Sequence, residues 1–213
     1  MDRPPTRARE PDEDEYPGLT ILLDALQILD HGLNREVSAQ EQQRGVRVGC
    51  HAGCTACCQR NVRLRPIEVE GIAWYAATRL DEPTWRRVKA QLARPHGTAC
   101  PLLLDGQCSV RPVRPIACRT FFVFGEPCKV GERLFEERSG DIFEHSEELY
   151  ERVAMRLFDD ESFGLSGDDD DKRSAYRRGA MVSSALSMDQ VDWVTTIDAL
   201  RDQLRSAQDT DED

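Results

Sequence analysis

The stretch Gly49-Cys50-His51-Ala52-Gly53-Cys54-Thr55-Ala56-Cys57-Cys58 decides how this chain is read, because it packs four cysteines into ten residues. Thiolates this close repel one another and oxidise readily unless something binds them, and a soft, positively charged metal centre is the simplest partner. The other four of the eight cysteines, Cys100, Cys108, Cys118 and Cys128, follow in one later segment. Disulfides are the competing explanation of an even count. The opening residues have no apolar run of the kind a secretion signal needs, and no stretch approaches the roughly 18 to 20 apolar residues of a membrane span. A cytoplasmic protein is expected, in a compartment that keeps thiols reduced, and neighbouring Cys57 and Cys58 make poor independent disulfide partners. All eight are therefore candidate metal ligands.

A continuous helix over residues 49–59 would place Cys50, Cys54, Cys57 and Cys58 on one face, within an arc of about 100 degrees. They still could not share one zinc ion. Cys50 and Cys58 would stand about 12 Å apart along the axis, at 1.5 Å per residue, whereas zinc holds its sulfurs at about 2.3 Å. Either the backbone folds around the metal, which Gly49 and Gly53 permit, or ligands come from the second segment. His51 and His96 are possible substitutes, but thiolates already exceed the four of one site and a surface position suits both better.

The formal charge is -11 at pH 7, but the acid lies at the edges: Glu10 to Glu15, Asp168 to Asp171, and Asp209 to Asp213. Between Arg44 and Arg138 the balance reverses, with 16 basic residues against 9 acidic ones. Arg47, Arg60, Arg63 and Arg65 flank the first cysteine group, and Arg111, Arg114 and Arg119 flank the second. Guanidinium groups there would offset the negative charge of a thiolate site. Nucleic acid is the weaker reading of the same charge, because no helix-turn-helix, RNP or finger pattern accompanies it.

The pattern along the chain predicts a mainly α protein: a small metal-stabilised domain with cysteine-bearing loops, flanked by amphipathic helices and disordered acidic tails. Residues 1–15, rich in proline and charge, read as a disordered tail, and 16–160 as the metal-binding domain. Leu19, Leu22, Leu26, Leu29 and Leu33 share a helical face, with an end expected near Gly32. Pro66 opens a second helix; residues 83–93 form a third; Trp74, Tyr75 and Trp85 are core residues. From Cys100 to Cys128 prolines break the chain into turns, with a small hairpin at Asp105-Gly106. Residues 141–158 read as a helix, 161–186 as an acidic flexible linker, 187–207 as a last helix capped by Ser187 and Gln190, and 208–213 as an acidic tail.

The motifs Cys100-Pro101-Leu102-Leu103, Gly106-Gln107-Cys108-Ser109-Val110 and Arg114-Pro115-Ile116-Ala117-Cys118-Arg119, together with the first cysteine group, resemble the YkgJ-type cysteine-cluster family of zinc- or iron-chelating domains. The resemblance spans Val48 to Cys128. It implies a metal- or iron-sulfur-binding domain, with Cys50, Cys54, Cys57, Cys58, Cys100, Cys108 and Cys118 at the motif positions and Cys128 a looser match. Arg111 stands where the family often has an aromatic residue. One distant branch of the family is a flagellin lysine N-methylase, so a protein-lysine methyltransferase is an alternative function, although no glycine-rich nucleotide loop is present. A metallochaperone is another.

Zinc and an iron-sulfur cluster both remain open. The iron-sulfur reading is favoured, because adjacent Cys57 and Cys58 could serve different metals or different irons, and Cys100-Pro101 is similar to the Cys-Pro that ends bacterial ferredoxin ligand runs. No Ser/His/Asp set is visible, and Glu68 and Glu70 read as solvent-facing helix residues. An unknown protein partner would dock on the basic face.

Overall fold

The computed structural model describes residues 4–93, 99–165 and 167–211. It is mainly helical. The long α1 spans Pro17–Arg44, followed by α2 at Pro66–Thr78 and α3 at Glu82–Leu92. Two short helices, α4 at Ile116–Arg119 and α5 at Leu134–Glu137, interrupt the proline-rich region before α6 at Glu147–Leu157. The chain closes with α7 at Asp169–Arg177, α8 at Ala180–Ser183 and α9 at Trp193–Asp211. The strands are two residues each: β1 (Arg63–Leu64), β2 (Leu103–Leu104), β3 (Gln107–Cys108) and β4 (Leu186–Ser187). Among the described residues no helix is long and apolar enough to cross a membrane.

Several elements follow directly from local chemistry. Pro17 and Pro66 open α1 and α2, where the missing N–H costs nothing. Asp81 caps α3 by accepting from Thr84 N, and Ser146 caps α6 by accepting from Leu149 N. Antiparallel β2 and β3 form the hairpin expected at Asp105-Gly106, whose φ angles of 50° and 74° suit the left-handed turn that asparagine, aspartate and glycine tolerate.

Other expectations need correction. Helix α1 does not end near Gly32 but runs on to Arg44, where Gly45 takes the left-handed conformation with φ 65°. Gly32 is there for packing: a Cβ would lie 2.2 Å from Leu149 Cδ1, so its absence lets α1 and α6 approach closely. Asp141 only closes a 3-10 turn and residues 142–146 are not helical, because Ile142 pairs with Val123 in a β-bridge and α6 waits for the Ser146 cap. The Ser187–Gln190 capping box is present but closes a single 3-10 turn, and α9 begins only at Trp193.

The acidic stretch expected as a linker forms α7 and α8. Asp168 accepts from Asp170 N and Asp171 N, and Asp169 to Asp171 fill the first turn, so the acidic run is a helix start stabilised by the helix dipole. Ala175 and Met181 then bury in the core. In the stretch expected as an N-terminal tail, Glu13 is buried and paired with Arg7, which also reaches Asp24 at 2.8 Å. Trp74 Nε1 donates to Asp12 at 3.0 Å.

Two apolar cores result. One joins α1 to α6 through Leu22, Leu29, Leu33, Leu149, Val153 and Leu157, and also takes in Ile116 and Phe124. The other joins α2, α3 and α9 through Ile72, Trp74, Trp85, Val88, Trp193 and Ile197, and extends to Leu102, Val110 and Val113. Arg201 of α9 donates to the carbonyls of Ala76, Ala77 and Leu80, satisfying the open C-terminal end of α2.

Between the cores lies a buried ion pair. Glu68 Oε2 accepts from Arg65 N at 2.9 Å and Arg65 Nη1 at 2.8 Å, while its Oε1 accepts from Ile116 N at 2.7 Å. Arg65 also donates to the Met181 carbonyl at 3.1 Å and to the Tyr150 hydroxyl at 2.8 Å. Burial alone would lower the Arg65 pKa, but Glu68 and Tyr150 hold it above its ordinary value. Glu68 is thus a structural carboxylate, not a solvent-facing one, and Arg65 serves it instead of the cysteines.

Three outcomes follow from these contacts. Gly32→Ala would gain up to about 1 kcal/mol from helix propensity, but overpacking against Leu149 costs about 1 to 3 kcal/mol, so urea unfolding should show net destabilisation. Glu68→Ala leaves Arg65 charged, buried and unpaired, and the same measurement should show a loss of about 3 to 5 kcal/mol. The bond from Arg7 holds the Glu13 pKa at about 2, against the opposing effect of burial. Its stabilisation is present above about pH 4.5 and is lost as pH falls toward 2; Glu13→Gln should therefore flatten the acid limb of a stability profile.

Candidate metal centre

The first cysteine segment is positioned from both ends. After the left-handed turn at Gly45 the chain runs extended, and Val48 pairs with Phe124 in a β-bridge. Gly49 N donates to Val123 O at 2.7 Å, and Gly125 N to Arg47 O at 2.8 Å. A Cβ on Gly49 would stand 2.3 Å from Gly125 O, so only glycine permits this approach. Cys50 is thereby laid beside the strand-like segment that leads to Cys128.

Residues 49–59 are not a continuous helix. Gly53, at φ 83°, turns the chain back, Cys54 N donates to His51 O at 3.1 Å, and a 3-10 turn carries Ala56–Gln59. Gly49 thus allows the close approach and Gly53 the reversal, so the backbone folds back here instead of running on as a helix. The second segment joins here directly, because Cys100 N donates to Cys58 O at 2.7 Å. The hairpin then sets Cys108 opposite Leu103.

Cys118 sits on α4, whose start is fixed by the bond from Ile116 N to Glu68. The buried Arg119 beside it donates to Arg114 O at 2.9 Å and to Pro112 O, and pairs with Asp30 of α1 at 2.5 Å. This clamp ties the loop before Cys118 to the long helix.

All eight cysteines are free thiols, and each is partly exposed. Cys58 donates its S–H to Cys57, lowering the Cys57 pKa and raising that of Cys58. Burial pushes Cys118 up to about 12 and Cys100 up to about 11, and the charges of Cys108 and Cys57 add to both. Burial likewise raises Cys128 to about 11, but there the contributing neighbours are Cys50, Cys54 and Cys57. Cys50 and Cys108 are also raised by burial.

The mutual influences divide the eight. Cys58, Cys100, Cys108 and Cys118 form one group, of which Cys100 and Cys108 pack on the α2–α3–α9 core; Cys50, Cys54 and Cys128 form another beside the Val48–Phe124 bridge; Cys57 acts on both. Among the described residues no three His, Cys, Asp or Glu side chains converge closely enough to hold a metal ion. The thiols are gathered but not closed.

The donor set nonetheless fits a soft metal. Arg114 lies within the electrostatic reach of Cys50, Cys57, Cys108 and Cys118. Burial, with repulsion from Arg119 and Arg111, lowers its pKa, and no carboxylate forms an ion pair with it among the described residues. Cys118 and the more distant Asp30 offset part of that charge, and an anionic metal-thiolate centre would offset more. Arg60 stacks over Phe135 at 4.9 Å and Phe121 at 5.6 Å and acts on Cys57. Arg47 pairs with Glu41, and Arg63 donates to Ala185 O.

His51 is exposed, with Nδ1 2.8 Å from Ala52 O, as suits a surface residue. His96 lies outside the described residues. Sequence reading missed Met188, whose buried thioether lies 3.9 Å from Cys100 Sγ. Its separation in the chain left no local signal.

No curated protein and no solved structure matches the chain. Residues 49–145 do match a family model, CxxCxxCC, described as a "putative zinc- or iron-chelating domain". That match takes in all eight cysteines, Phe124 and the Arg114–Arg119 clamp, so the cysteine region is similar to the domains that model describes.

Proposed function

We propose that the protein holds metal through two neighbouring thiolate groups, Cys58, Cys100, Cys108 and Cys118 in one and Cys50, Cys54 and Cys128 in the other, with Cys57 between them. The observation that carries this reading is the hydrogen bond from Cys100 N to Cys58 O at 2.7 Å, which joins the two cysteine segments through backbone alone. A metal need only draw in side chains already gathered there.

Iron-sulfur is favoured over zinc. Thiolate ligands suit both, but adjacent Cys57 and Cys58 cannot comfortably serve one tetrahedral ion, whereas they can reach different irons. The unpaired Arg114 suits a centre of net negative charge. Bound, such a centre would supply electron transfer or structural cross-linking. The chain's own residues do the rest: Glu68 fixes α4 and Cys118, Arg119 fixes the loop before them, and Gly49 holds Cys50 against the Cys128 segment. Protein of this kind would work in the cytoplasm, with a protein partner docking on the basic face.

Anaerobic purification with metal analysis and visible spectroscopy tests this. Iron, acid-labile sulfide and a broad visible band are expected; colourless protein containing only zinc removes the iron-sulfur version, and metal-free protein removes both. Cys118→Ala and Cys128→Ala should each lose part of the metal, and the double variant nearly all of it. If neither changes the stoichiometry, the division into two groups is wrong.

A further inference from the structure

On the side of the molecule formed by the N-terminal turn, α2 and α9, a cleft of about 460 Å³ opens to solvent. Its walls are mostly apolar: Tyr16, Leu19, Ala73, Trp74, Ala199 and Leu200. Clefts of this size and character bind small molecules, with a few polar groups fixing orientation. Here the polar groups are acidic. Glu70 and Glu15 line the opening, and no basic side chain does.

The acid is also concentrated behind the wall. Gly18 lines the cleft, and a Cβ there would lie 2.9 Å from Asp160 Oδ2 and 3.1 Å from Glu70 Oε2. The two carboxylates therefore stand within about 6 Å of each other, by the same contacts. Asp160 is buried and accepts from Ser162 N at 3.0 Å. Among the described residues neither Asp160 nor Glu70 is ion-paired with a lysine, arginine or histidine.

The N-terminus of α1 faces them, but a helix end supplies only about half a positive charge. Partial desolvation, with Asp160 and Glu161 nearby, raises the Glu70 pKa in spite of it. Negative charge is left over at the mouth of an apolar cleft.

We infer that this cleft binds a small hydrophobic organic cation, its ring or branched hydrocarbon body between Trp74 and α9 and its ammonium or amidinium head against Glu70. The body would replace water on Ala199 and Leu200, above the buried floor of Leu19 and Ala73, and the head would supply the missing positive charge. The site is separate from the cysteines and stands or falls independently of the metal.

Three indole probes that differ only in charge test it by calorimetry on the full chain at neutral pH: tryptamine, tryptophol and indole-3-propionate. Tryptamine should bind about tenfold more tightly than tryptophol, the size of one charge-assisted contact, and indole-3-propionate not measurably. Glu70→Gln should bring tryptamine down to the affinity of tryptophol and leave tryptophol unchanged. Because Glu70 has no ion-pair partner to lose, that variant should melt no lower than the parent. Ala199→Trp, at an exposed position on the cleft wall, should abolish both interactions. Equal affinity for tryptamine and tryptophol, absence of tryptamine binding at millimolar concentration, or a preference that survives Glu70→Gln would each overturn the assignment.

Discussion

The buried pair of Arg65 and Glu68 is the constraint on which the rest of the arrangement depends. Two charges taken out of water cost several kilocalories per mole each unless every hydrogen-bonding position is met. Here they are met from four directions: the start of α2, the start of α4, Met181 of α8 and Tyr150 of α6. A buried ion pair is weak evidence for net stability, since apolar replacements can do as well. Its effect is on register. If α4 slipped by one residue, Ile116 N would leave Glu68 and Cys118 would swing away from Cys58 and Cys100.

The cysteine region is built on the opposite principle. The region gives Leu102, Val110 and Val113 to one core and Ile116 and Phe124 to the other, but has few ladders of its own, only a two-residue hairpin, one-turn helices and isolated bridges. Arg119 and the backbone bond between Cys58 and Cys100 align it, but several thiols there pay for partial burial with raised pKa values. Arg114 is under-balanced in the complementary sense, a half-buried cation repelled by Arg119 and Arg111 and offset only in part by Cys118 and Asp30. Metal binding would relieve both at once, which is how such sites couple ligation to folding.

What could be read from sequence follows the range of the interactions. The cysteine spacing, the leucine period of α1, the proline that opens α2 and the Asp105-Gly106 turn are encoded within a few residues, and each is found in the structure. Gly32 was misleading because a glycine that ends a helix and a glycine that admits a neighbouring helix look alike until Leu149 is placed. The run Asp168 to Asp171 was misleading in the same way: its charge suggested a solvated linker, yet charge is what a helix N-terminus accepts. Glu68 read as a surface residue because its partners, Ile116 and the Arg65 network, are set by topology. The division of the cysteines into two groups was likewise invisible, since it depends on which loop lies beside which.

The backbone bond from Cys100 to Cys58 has a consequence in time as well as in space. The two residues are 42 positions apart, and synthesis at about 5 to 20 residues per second separates their emergence by roughly 2 to 8 seconds. During that interval Cys50, Cys54, Cys57 and Cys58 have left the ribosome while every partner from the second segment is still unmade. A nascent chain of this design is most open to oxidation before it is finished, when the first four thiols stand without the segment that will later lie against them.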